Sequence, residues 1–169
     1  MNYYGAKQMA AGWRTVRKNT IQVAAEIPEA QYNFRATPET MSVAEMLTHL
    51  ATSPHWAMQL HFLDKKSAVS GEDFGRYMGE AKQLAATLTS KDAIIASLTT
   101  NGEAMAMQIE QMTDEQLAEP VAVMATDKSR FELLLGLKEH EMHHRAQLMQ
   151  MQRLLGMVPH LTRARQHAS

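Results

Sequence analysis

His140-Glu141-Met142-His143-His144-Arg145 sits inside a run with helical spacing, from about Ser129 to Leu155, that carries three of the eight histidines. Residues four apart on a helix share a face one turn apart. His140 and His144 can therefore aim their rings at one point, as two imidazoles must to share a metal ion. Leu133, Leu137, Leu148, Met151 and Leu155 share that face, so the pair lies in an apolar stripe and looks inward. Two imidazoles side by side in a core need a shared ligand or separate hydrogen-bond partners, because unpaired buried polar groups are costly. A metal-binding helix is the leading reading.

Working outward, the other apolar patterns are helical too. Met9, Trp13, Val16, Thr20, Val23 and Ile27 recur at spacings of four and three, one seam of a first helix over residues 3–26 that Pro28 ends. Residues 31–40 read as a connector. Ser42-Val43-Ala44-Glu45 has the capping-box pattern and opens a second helix with Val43, Met46, Leu47 and Leu50 on its apolar face and His49 at the stripe's edge. Ser53-Pro54 interrupts it as a kink or a fresh start, so the backbone changes course about one turn after His49. A local widening of a pocket is expected there; a straight helix over residues 42–62 would remove it.

Residues 64–79 hold Gly71, Gly75 and Gly79 and read as loop with short helical pieces, followed by a helical turn or two over residues 80–88. A third long helix follows Thr89-Ser90, with Ile94, Leu98, Met105, Ile109 and Met112 on one face and Gly102 as a local weakness. Val121-Ala122-Val123 is the only plausible strand and has no obvious partner. The fourth helix runs to Leu155, where Gly156 suits the cap and Pro159 blocks continuation. The tail after His160 reads as polar and loosely held. Four amphipathic helices without paired strands predict an all-α chain: one domain over residues 1–169, a four-helix bundle with a long crossover between helices two and three.

Composition narrows the function. The net charge is −1 with His neutral and no basic stripe is present, which argues against nucleic acid or an anionic membrane as partner. There are no cysteines, so any metal is held by His, carboxylates or water. The start Met1-Asn2-Tyr3-Tyr4 does not read as a signal peptide, and no apolar run approaches the ~20 residues of a bilayer span. A cytoplasmic protein is expected. The fourteen methionines read as irregular core filling, with a Met-lined ligand surface as the alternative.

Two imidazoles make a poor site, since Zn²⁺ and its neighbours usually take three protein ligands and keep an open position for chemistry. The third should come from the core edge of another helix, and His49 has that placement. His55 and His61 also lie near helix two, but nothing marks them as inward. His143 falls roughly 80° off the pair's mean direction at about 100° per residue, which suits an outer-shell or surface position. The residues alone leave a three-His site and a set of hydrogen-bonded core histidines both open.

The arrangement resembles the DinB/YfiT-like family, named after DNA-damage-inducible proteins. The resemblance rests on Ile27-Pro28-Glu29, on Ser42 to Leu50 ending in His49-Leu50, on His140 to Gln147, and on Gly156 with Pro159. It implies a four-helix bundle, often dimeric, with a metal triad of one His from helix two and two His four apart from helix four: His49, His140 and His144. Ala146 departs from the family, which commonly has Gly there; the position lies outside the ligand set. Some relatives are thiol-dependent transferases or isomerases, joining low-molecular-weight thiols to electrophilic small molecules, and others are described as metal-dependent hydrolases.

His140-Glu141-Met142-His143-His144 also spells the zinc-protease pattern His-Glu-x-x-His, with Glu141 as general base. No Asp or Glu follows Glu141, and Gln147 and Gln150 stand where the extended pattern needs Gly and His, so this reading fails. Three neutral imidazoles leave a divalent charge uncompensated, and such a site lowers the pKa of a thiol or water and stabilises the anion as nucleophile. Histidine ligation suits Zn²⁺ or Ni²⁺. Glu45, Trp56 and Arg145 are candidates for outer-shell help. The competing expectation is a non-catalytic dimeric bundle with a structural metal or a ligand-binding role. Leu135, Met142 and Met149, seven apart on another side of helix four, suit a second core neighbour or, preferably, a homodimer interface.

Overall fold

The structure, a computed structural model, describes residues 4–123 and 126–166. The first helix, α1, spans Ala6–Glu26; Tyr3 lies outside the described residues. It buries Met9, Trp13, Val16, Thr20 and Val23, the expected seam, and Ile27 is fully buried just beyond it. Helix α2 (Val43–Thr52) starts at the expected capping box: Ser42 N–H donates to Glu45 Oε2 at 2.8 Å and Glu45 N–H donates to Ser42 Oγ at 3.2 Å. It stops before Ser53-Pro54. A single turn, α3 (His55–Met58), resumes and runs into a π-helix, Gln59–Leu63. The segment is not a straight helix, and cavities open beside Ser53 and Pro54, as the break predicts.

The glycine-rich segment departs from expectation. Gly71–Thr87 forms a continuous helix, α4. Ser70 caps it reciprocally with Asp73, Tyr77 and Ala81 are buried, and the Tyr77 hydroxyl donates to Asp64 Oδ2 at 2.8 Å. Gly71, Gly75 and Gly79 are exposed, and an added Cβ at any of them would meet nothing within 4 Å. Tertiary packing of one face thus overrides a local preference worth about 1 kcal/mol per glycine.

Helix α5 (Lys91–Glu110) and a short α6 (Asp114–Ala118) precede the second departure. Val121-Ala122-Val123 does have partners. Strand β2 (Pro120–Val123) pairs in parallel with β1 (Ala68–Val69) and antiparallel with β3 (Thr126–Ser129). The chain is therefore mostly helical with a small three-stranded sheet, not all-α. The partners escape a periodicity reading because β1 has two residues and β3, Thr126-Asp127-Lys128-Ser129, has no apolar face. Helix α7 spans Arg130–Leu154, with Ser129 and Glu132 as its capping box. Among the described residues the tail is not loose: α8 (His160–Gln166) returns to α1, with His160 Nε2 and Asn19 Oδ1 3.1 Å apart and Arg163 paired to Glu26.

Helices α1 and α2 each pack against α5 and α7, with α4 laid against α2 and α3. The interior has two main apolar clusters. One gathers Val23, Ile27, Leu47, Leu50, Leu98 and Leu148; the other gathers Met9, Trp13, Met105, Ile109, Leu134 and Leu137. Between them lies a polar layer. Arg17 Nη2 pairs with Glu141 Oε2 at 2.8 Å, Thr20 Oγ1 donates to Glu141 Oε1 at 2.8 Å, and Arg17 Nη1 donates to the Leu50 carbonyl at 3.2 Å. Gly102 is the gap through which Arg17 passes: a Cβ there would sit 2.5 Å from Arg17 Cγ. Its carbonyl also accepts from Trp13 Nε1 at 2.9 Å. The weak spot in the third long helix is thus where the buried ion pair crosses the core.

The expected core filling by methionine is seen. Met9, Met46, Met105 and Met151 fill the core, while Met78 is exposed and lines a cavity. The second stripe on α7 divides: Met149 packs on the first cluster, whereas Met142 is 41% exposed.

Candidate metal centre

Helix α2 carries His49 on its last turn, and α7 carries His140 and His144 one turn apart, so packing α2 on α7 brings the three imidazoles together. The Nε2 atoms of His49 and His140 are 3.0 Å apart. Ring centroids are separated by 4.9 Å for His49 and His140, 5.0 Å for His49 and His144, and 4.6 Å for His140 and His144. One ring nitrogen from each lies within 4.8 Å of the others, a grouping that can hold a metal ion. Two nitrogens bound tetrahedrally at 2.0–2.1 Å would be about 3.3 Å apart, so the closest pair is near coordination spacing.

The electrostatics favour neutral, ligand-ready rings at His49 and His140. Burial, with the neighbouring His49 and His144, holds His140 down at about 4, and burial with His144 lowers His49. Imidazolium cannot bind a cation, so a shift that keeps the ring unprotonated favours ligation. His144 Nδ1 is 2.7 Å from Gln147 Oε1. With the amide oxygen accepting, Nδ1 carries the proton and Nε2 keeps its lone pair, the usual outer-shell device for a metal-binding imidazole. All three rings are half-buried, accessible yet shielded.

The remaining candidates go elsewhere. His143 is exposed beside His144, 5.1 Å between centroids, which decides for the surface. His55 Nε2 lies 2.8 Å from Glu80 Oε2. His61, which no sequence signal marked, is buried with its Nδ1 3.1 Å from Arg130 Nη1. Arg130 also donates to Glu119 Oε2 and to the Lys66 carbonyl. Glu45 is engaged by its cap and by Arg35, and Arg145 reaches toward α1 and the Val16 carbonyl. Glu141 is held by Arg17 and Thr20 against α1, so it cannot act as general base beside His140 and His144. Burial pushes its carboxyl up, and Arg17 and Thr20 act against that shift. Gln147 is the group that sequence reasoning passed over; its place three residues after His144 is the signal that could have found it.

This ordered His49, His140 and His144 arrangement is accompanied by a family match. The DinB family model matches residues 1–168. The chain belongs to the DinB family. A DinB-like protein, YjoA, from Bacillus subtilis superposes with a TM-score of 0.69 at 22% identity, over 89% of this chain and 93% of that one. An uncharacterized protein from Clostridium difficile 630 superposes at 0.67 with 14% identity, over 90% and 98%. Both likenesses are of fold. No curated protein matches the chain.

Two cavities meet at the three histidines. One of about 390 Å³ is lined by His49, His140, Trp56, Phe74, Met78, Leu133 and Leu137, with Lys128 and Glu132 also on its wall. A wider one of about 650 Å³ is lined by His49, Glu45, Thr48, Lys82, Met41 and Leu88. His49, Thr52 and Ala81 belong to both. A further cavity of about 390 Å³, beside His61 and Arg130, does not include the triad. No helix among the described residues is long and apolar enough to cross a membrane.

Proposed function

We propose that this DinB-family protein is a metal-dependent small-molecule enzyme whose divalent ion, Zn²⁺ or Ni²⁺, is held by His49, His140 and His144. The observation that carries this is the convergence of three half-buried imidazoles from two helices, with His144 oriented by Gln147. Bound there, the ion supplies Lewis-acid stabilisation of an anionic nucleophile derived from a thiol or from water. The protein's own part is to keep His49 and His140 neutral, fix the direction of the rings and leave one side of the site open to cavities.

Thiol transfer is favoured over hydrolysis by the two cavities that share His49, because joining two molecules needs two chambers and hydrolysis needs one. The substrates would then be a low-molecular-weight thiol and an electrophilic small molecule. We read α1, α2 continued by α3, α5 and α7 as a four-helix bundle with α4 and its flanking segments as the crossover, forming a cytoplasmic homodimer with Met142 at the interface. The rival reading is a structural metal in a non-catalytic dimer. Structural sites are closed, with four protein ligands, whereas His49 and His140 border cavities.

Elemental analysis of the purified protein and of His49→Ala and His140→Ala tests the triad. About one metal per chain, lost in both variants, supports it and leads to assays of thiol transfer and then hydrolysis. Absence of metal, with no rise in melting temperature on adding Zn²⁺ or Ni²⁺, refutes it.

A further inference from the structure

The cavity shared by His49 and His140 has a marked chemical character. Trp56 comes from α3, Phe74 and Met78 from α4, and Leu133 and Leu137 from α7. Its walls are mostly carbon, and the polar atoms gather at the two imidazoles, at Thr52 and Ser53, and at Lys128 and Glu132. The wider cavity has a different lining, with Glu45, Thr48, Lys82 and Thr52, and it touches the triad through His49 alone. Two of the three imidazoles therefore face the apolar chamber.

A volume of about 390 Å³ lies at the lower end of the usual range for small-molecule sites, about 300–1,000 Å³. Five large apolar side chains on three helices surround it. Desolvating a ring or branched chain there is favourable, whereas a sugar or a charged peptide would lose hydrogen bonds to water without replacement. The polar edge at His49 and His140 gives such a molecule an orientation, with its apolar body among Trp56, Phe74 and Leu133 and its polar end at the triad.

We infer that the chamber between α3, α4 and α7 binds the acceptor substrate, a small molecule with an apolar, aromatic-sized body and one polar or electrophilic end directed at His49 and His140. The assignment deepens the proposed function and rests on it for the role of the polar end; the binding of the apolar body stands apart from the metal. It also gives α4 a purpose, since Phe74 and Met78 wall the chamber from a helix that glycines weaken.

Two measurements test it. In the Zn²⁺-loaded protein, calorimetry compares benzohydroxamate with acetohydroxamate, which share a metal-binding head and differ in the ring. The expected result is binding about tenfold tighter or more for benzohydroxamate. Phe74→Ala and Leu133→Ala should narrow that ratio to a few-fold while leaving metal content and acetohydroxamate affinity unchanged. In the metal-free protein, benzyl alcohol should shift the Trp56 indole N–H resonance saturably, the peak being identified by its loss in Trp56→Phe. Equal affinities of the two hydroxamates, or an indole resonance that benzyl alcohol does not move, would overturn the inference. A protein that holds no metal yet shows the saturable indole shift would retain the apolar chamber and lose the metal-dependent reading.

Discussion

Replacing Gly102 by alanine is a sharp test of the polar layer, because local and tertiary arguments give opposite signs. In an isolated helix the change should stabilise by about 1 kcal/mol. Here the new Cβ would stand 2.5 Å from Arg17 Cγ, 3.0 Å from Cδ and 3.2 Å from Nε. Those atoms cannot swing aside freely, because the far end of Arg17 is tied to Glu141 and to the Leu50 carbonyl. Arg17 and Glu141 side chains are 4% and 2% exposed, so water cannot replace the lost contact. Separating a buried ion pair leaves two uncompensated charges and costs about 3–5 kcal/mol. Set against the helix gain, the expected net loss is about 2–4 kcal/mol, or a fall of roughly 5–15 °C in melting temperature for a chain of this size. Urea unfolding followed by far-UV circular dichroism measures it. In an Arg17→Ala background, where the clash is absent, the same change should become neutral or stabilising by about 1 kcal/mol. A Gly102→Ala protein more stable than the parent would refute the claim that this glycine exists to admit Arg17.

Further perturbations probe the π-helix and α4. Burial, with Arg130 beside it, holds His61 down at about 3 against its ordinary 6.5. Its folded value is depressed, so the unfolded chain takes up the proton first, and stability present above about pH 6.5 is lost as the pH falls toward 3, by about 1.4 kcal/mol per pH unit. Denaturant midpoints of the metal-free protein between pH 6 and 4 should therefore fall less steeply in His61→Gln than in the parent, and parallel slopes would contradict the assignment. Gly75→Ala and Gly79→Ala, where the space is open, should each raise stability by about 1 kcal/mol. A loss of stability in either would mean that α4 relies on those glycines for a contact not seen here.

Much of this protein was readable in its residues. The seam Met9 to Ile27, the Ser42–Glu45 cap, the break at Ser53-Pro54 and the His140–His144 spacing each report a local rule, helical period, cap or proline geometry, that holds before the chain folds. The family likeness was legible for the same reason, since its motifs are local. What escaped depends on partners distant along the chain. The strand pairing of Ala68-Val69 with Ala122-Val123 joins segments too short and too polar to announce themselves. The helix Gly71–Thr87 contradicts its own glycines and is held by Tyr77 and Ala81 against its neighbours. His61 turned inward because Arg130, sixty-nine residues later, offered it a buried donor. The sequence by itself determined the helices around Met9–Val23, Val43–Leu50, Ile94–Ile109 and His140–Leu148, the cap and break that bound the second of them, and which three histidines were candidates, because those properties belong to runs of a few residues. Only the tertiary structure decided that the three rings meet, that Glu141 serves a buried ion pair and that the triad borders an apolar chamber, because each depends on which faces of α1, α2, α4 and α7 are packed together.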